Sequence, residues 1–162
     1  MHSFRIETYL KLVFLISLIS IISAYSIEYI LGHQPCNLCL IERIPYGLSM
    51  FLIIFSFVLQ KNLKFLILLL IFVFTFSFVL SFYHFGIEQS WFNESSVCGI
   101  KSTSEIVSKE ELLRQLQEKT ISCKDVTFKI FGFSLTSINI IISLFLTILL
   151  TKIFISYEKF KN

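Results

Sequence analysis

Four cysteines, Cys36, Cys39, Cys98 and Cys123, are the residues of this chain whose type and spacing could do chemistry. Two of them form Cys36-Asn37-Leu38-Cys39, a pair with a two-residue spacer. A disulfide across so short a gap staples little of a fold, because stabilisation by loop closure grows with loop length. The same spacing is common in exchangeable dithiols and in metal sites. Cys98 and Cys123 are widely separated and could form either a structural bridge or a second redox pair. A four-thiolate zinc site would also use two cysteine pairs, but there is no second C-x-x-C, and no metal is expected. Arg43 follows Cys39 by four residues and so shares its helical face. A fixed guanidinium there would stabilise negative charge on sulfur, although an arginine at a lipid edge can equally be a headgroup anchor.

The elements that must position these groups are membrane helices. The chain has 162 residues, of which 55% are hydrophobic, and a mean hydropathy of +0.78. One soluble core of this length could not hide so much apolar sequence. The apolar residues also come in long blocks, which points to lipid as the solvent. Four spans can be read, at about 12–30, 41–59, 65–85 and 133–157, and unbroken blocks of this length in lipid should be helical. The expected fold is therefore an all-α integral membrane protein, a four-transmembrane-helix bundle forming a single membrane domain.

Charge sets the expected orientation. Arg5 and Lys11 precede the first block, Lys61 and Lys64 lie between the second and third, and Lys152, Lys159 and Lys161 close the chain. Positive charge beside span ends marks the cytoplasmic side, so both termini and the 60–64 turn should be cytoplasmic. The segments 31–40 and 86–132, with all four cysteines, should then lie outside, where disulfides persist. A cleaved signal peptide over residues 1–25 is a competing reading, but the apolar block is longer than a usual signal core. Nucleic-acid binding has no support, since no basic stripe with interleaved aromatics exists.

Within the long outer segment, Ser108-Lys109-Glu110-Glu111 matches a capping box, and Leu112, Leu113 and Leu116 share a face. This predicts a short helix near 104–119, either on the membrane surface or solvated as a spacer between the two loop cysteines. Cys39 should sit at the start of the second span, where a helix N-terminus favours a thiolate. His84, at the outer end of the third span, reads as an interfacial histidine in an aromatic belt with Tyr83, Phe85 and Trp91. A proton-relay role is the competing reading. Glu28 and Glu88 read as interfacial, with Glu42 and Arg43 at the outer edge of the second span.

The segment Pro35-Cys36-Asn37-Leu38-Cys39-Leu40-Ile41-Glu42-Arg43-Ile44-Pro45-Tyr46 resembles the P-C-x-L-C-x-x-x-R stretch of the DsbB family of quinone-dependent disulfide oxidases. The likeness continues through Tyr83-His84-Phe85-Gly86-Ile87-Glu88, Trp91 and Cys98, then Cys123-Lys124-Asp125, Phe131-Gly132-Phe133-Ser134-Leu135 and Asn139. This resemblance implies an enzyme of the bacterial inner membrane that reoxidises a soluble periplasmic thioredoxin-fold thiol oxidase (DsbA-like). Ubiquinone or menaquinone would bind near Cys39 and Arg43, with His84 nearby. By matching positions, Cys98 would form the mixed disulfide with the partner and Cys123 would resolve it. Cys36 and Cys39 would reoxidise the loop pair, and Cys39 would make the quinone contact. Because such a partner is itself strongly oxidising, no ordinary thiol pool regenerates it, and a quinone-like acceptor is needed. Two rival readings remain. Enzymes of the vitamin K epoxide reductase type also use two cysteine pairs, but in the opposite order. A non-enzymatic membrane subunit with two structural disulfides is the other.

Overall fold

A computed structural model of the protein describes residues 2–59, 63–93, 98, 122–124, 129–130 and 132–161. The order of elements is α1 (His2–Tyr29), α2 (Asn37–Ile41), α3 (Arg43–Leu59), α4 (Leu63–Glu88), β1 (Lys129–Ile130), β2 (Phe133–Ser134) and α5 (Leu135–Lys161). Four stretches among them are long and apolar enough to cross a membrane: Ile6–Tyr29, Asn37–Phe57, Leu63–Glu88 and Leu135–Tyr157. The molecule is a multi-pass, four-helix membrane protein. The predicted helix near 104–119 lies outside the described residues.

The second span is stepped, and Pro45 accounts for it. Proline has no N–H to offer the Ile41 carbonyl, and its ring clashes with that carbonyl. The helix therefore ends at Ile41 and restarts at Arg43, with Glu42 as the joint. This joint turns two consecutive charged residues inward near the start of the span.

Two glycines set the entry and exit of the site region. Gly32 takes φ +72° after α1, the left-handed conformation that L side chains avoid. It lets the chain leave the helix, with the His33 N–H bonded back to the Ile27 carbonyl at 3.2 Å. Gly132 takes φ +86° between β1 and β2, which pair antiparallel with Lys129 opposite Ser134. Ser134 then caps α5, its Oγ accepting the Ser137 N–H at 3.2 Å, the usual way to satisfy a first-turn donor.

The main helix contacts run α1 to α3, α3 to α4 and, most extensively, α4 to α5. Their shared interior holds Leu10, Val13, Ile53, Ile67, Leu70, Phe74, Leu146 and Leu150. Large side chains such as Phe51, Phe72 and Ile141 point outward, as lipid-facing residues do. Lipid tails are as apolar as leucine, so close contact through small residues and interhelical hydrogen bonds directs such helices together. Here Ser17 bonds Ser49 at 3.0 Å between α1 and α3, and Ser77 bonds Ser143 at 3.1 Å between α4 and α5. Interhelical bonds of this kind contribute only about 0.6 kcal/mol on average, so they fix register more than they supply stability.

Candidate functional site

Cys36 is the residue that caps α2. Its backbone is extended (φ −73°, ψ 167°) and its Sγ accepts the Cys39 N–H, at 3.3 Å. Cys39 lies one turn further in, with the two sulfurs 2.8 Å apart and both present as thiols. The sequence placed the thiolate-favouring helix start at Cys39. The structure assigns it to Cys36 instead, because the helix begins at Asn37, before the break that Pro45 imposes. The hydrogen bond from the Cys39 thiol holds the Cys36 thiol well below its usual range. The His84 ring acts in the same direction, and burial opposes both.

His84 does not stand in an aromatic belt. It is 1% exposed, while Trp91 and Phe92 beyond it are open. The reason is helical phase: Leu70, Phe74, Ser77, Ser81, His84 and Ile87 recur at intervals of three and four, and all are buried on one face of α4. His84 Nε2 lies 3.5 Å from Cys36 Sγ and Nδ1 lies 2.8 Å from Glu42 Oε1. The other Glu42 oxygen accepts the Asn139 amide at 2.8 Å. That amide also donates to Ser81 at 2.7 Å, and the Asn139 carbonyl oxygen accepts the Tyr46 hydroxyl. Tyr46 in turn meets Ser143 at 3.2 Å. A buried polar chain thus runs from the C-x-x-C pair into the bundle. Glu42 and Asn139 are its central members, and neither was singled out as a site residue. The available signal was an acidic side chain within a span, which lipid tolerates only when it is partnered and usually functional.

Two further carboxylates expected at the interface are engaged inside. Arg43 donates to Glu28 at 2.5 Å, and its guanidinium lies 4.8 Å over the Tyr25 ring, joining α3 to α1. Both side chains are mostly buried, at 15% and 20% exposed. Glu88 accepts the Thr136 hydroxyl at 2.5 Å, and its other oxygen is buried without a hydrogen-bond partner.

Beside these groups is a cavity of about 300 Å³, within the size range of small-molecule sites. Its apolar wall comes from Ile19, Ala24 and Ile27 of α1 and Ile138 and Ile142 of α5. Cys39, Glu42, Arg43, Tyr46 and Asn139 supply the polar side. Few, convergent polar groups in an apolar cleft suit a flat, mostly apolar ligand with polar edges. His84 is not on the wall. Its ring meets Cys36 Sγ through Nε2 and Glu42 and Thr136 through Nδ1.

Cys98 and Cys123 form a disulfide with Cα atoms 5.4 Å apart. Both are buried and, with Cys36, Leu38 and Ile87, make one cluster against which Cys39 packs. The four cysteines and His84 thus lie together, and Arg43 shares the cavity wall with Cys39. The disulfide lies beside the C-x-x-C pair rather than out in solvent, which the sequence did not disclose.

Residues 7–153 match the family model described as "Disulfide bond formation protein DsbB". A Rickettsia prowazekii (strain Madrid E) protein described as "Uncharacterized protein RP370" is 29% identical over 137 residues, covering 83% of this chain and 80% of that protein. No solved structure matches the chain.

Proposed function

The chain belongs to the DsbB family of disulfide bond formation proteins, and from that premise we propose that it oxidises the dithiol of a soluble periplasmic thioredoxin-fold protein and delivers the electrons to ubiquinone or menaquinone. The observation that carries this reading is the double position of Cys39. It packs against the cluster holding the Cys98–Cys123 disulfide and also lines the cavity. Electrons that arrive from one side can leave on the other without the pair moving far.

The exchange steps balance as follows. A donor thiolate attacks Cys98, and Cys123 departs as a thiolate. The donor's second thiol then closes the donor disulfide, leaving Cys98 and Cys123 as a dithiol. That dithiol reduces a Cys36–Cys39 disulfide by the same chemistry, which restores the Cys98–Cys123 bridge and leaves two thiols at Cys36 and Cys39. These are the states in which the two pairs stand here. Reoxidation of Cys36 and Cys39 releases two electrons and two protons, and a bound quinone would supply the acceptor for both. Cys39, Arg43, Tyr46 and Asn139 would hold it. His84 Nε2 takes the Cys36 proton, and Glu42 on Nδ1 fixes the ring's tautomer.

The purified protein, given a reduced thioredoxin-fold donor and a water-soluble quinone, should form one quinol for each donor disulfide. Oxidation of the donor without quinol formation would overturn the reading. The orientation rests on the basic residues at 5, 11, 61, 64, 152, 159 and 161. A membrane-impermeant thiol reagent added to reduced spheroplasts should label the cysteines without permeabilisation. Labelling of Cys39 only after permeabilisation would reverse the orientation and remove the periplasmic partner.

A further inference from the structure

We propose that the reduced Cys36–Cys39 pair and His84 form a binding site for a zinc-class divalent cation, present only in the dithiol state. One donor atom from each of the three residues lies within 4.8 Å of the others, and among the described residues no other group of this kind occurs. Two thiolates and one imidazole with an open fourth position are a donor set zinc uses. Tetrahedral zinc with ordinary bond lengths needs a sulfur–nitrogen edge of about 3.6 Å and a sulfur–sulfur edge of about 3.8 Å. The Cys36–His84 separation is already 3.5 Å. The sulfurs, 2.8 Å apart, would open by about 1 Å to reach that sulfur–sulfur edge, within the reach of side-chain rotation.

The surroundings point the same way. A metal-bound histidine almost always donates its other ring N–H to a carboxylate, a backbone carbonyl or water. Here Glu42 occupies Nδ1 and is itself held by Asn139, which leaves Nε2 directed at sulfur. Cys39 lies on the cavity wall, so the fourth position faces an open space able to admit water. Two thiols lose their protons on binding, and two thiolates with one divalent cation are electrically neutral, which suits a buried pocket. Calcium and magnesium, which require oxygen donors, do not fit. Oxidation to a disulfide removes two of the three ligands. Zinc would therefore hold the pair reduced and stop its electron delivery, a consequence that rests on the function proposed above, whereas the site itself does not.

The test uses the full-length chain carrying Cys98→Ser and Cys123→Ser, so that only Cys36 and Cys39 offer thiols. In detergent, the reduced protein should take one zinc per chain from a chromophoric chelator, and the oxidised protein none. Cobalt(II) should give thiolate-to-cobalt charge-transfer absorption with tetrahedral intensity. Glu42→Gln should weaken zinc by about 10- to 100-fold, and His84→Gln by at least as much. Absence of stoichiometric zinc on the dithiol, equal uptake by the disulfide, or undiminished affinity in His84→Gln would overturn the site. Should the His84 variant fail to fold, the cobalt spectrum of the parent decides. Quinone reduction by the unaltered protein without zinc is measured alongside. Its failure counts against the redox function alone, and its presence without zinc uptake counts against the site alone.

Discussion

Replacing Cys39 with Ser should stop steady-state quinone reduction, by more than about a thousandfold, the scale of losing a reacting group. It should leave one round of donor oxidation intact. The two readouts separate because Cys98 and Cys123 already form a complete disulfide that one donor dithiol can reduce without help. The next transfer needs a disulfide at Cys36 and Cys39, and serine cannot form one. Rapid acid quenching should show a burst of about one donor disulfide per enzyme, as expected when a first step proceeds and the next is blocked, and then nothing. Quinol should not accumulate. Sustained quinone reduction in this variant would mean that electrons leave from another group and that Cys39's place on the cavity wall is incidental.

How much of this was legible beforehand depends on the kind of signal. The cysteines and Arg43 could be picked out by type and spacing alone, because a C-x-x-C pair with an arginine one turn later is informative in any fold. The four spans follow from block length and lipid's demand for internal backbone bonding. The inward turn of His84 was present in the α4 pattern as the run Leu70, Phe74, Ser77, Ser81, His84, but its place at a span end suggested an interfacial role. The partners of Glu42 could not be read. Asn139 is 97 residues away and His84 is 42, and such contacts depend on how the helices are rotated against one another. The helix start expected at Cys39 falls instead at Cys36, the N-cap of a short helix that stands before the Pro45 break. Arg43 is the same kind of case: its position allowed either a charge beside the sulfur or a headgroup anchor, and tertiary packing gave it Glu28 and Tyr25.

That pairing sharpens what Arg43 should do. It has two possible jobs, clamping α3 to α1 through Glu28 and presenting positive charge to the cavity that it lines. If the second matters, Arg43→Ala should raise the quinone KM or slow quinone reduction about ten- to a hundredfold, which is the loss of one charge-assisted contact of about 1.5–3 kcal/mol. Arg43→Lys should fall between, since the charge survives but the planar fork does not. Exchange between Cys98 and the donor should stay near normal in both, because it does not involve the cavity. Glu28→Gln is the deciding companion: it removes the clamp's charge and keeps the arginine. Should Arg43 act on the quinone, Glu28→Gln should lower thermal stability yet keep the quinone KM within a few-fold of the unaltered protein. If Glu28→Gln and Arg43→Ala instead impair quinone reduction equally and destabilise equally, the arginine only holds two helices together, and its charge has no direct part in accepting electrons from Cys39.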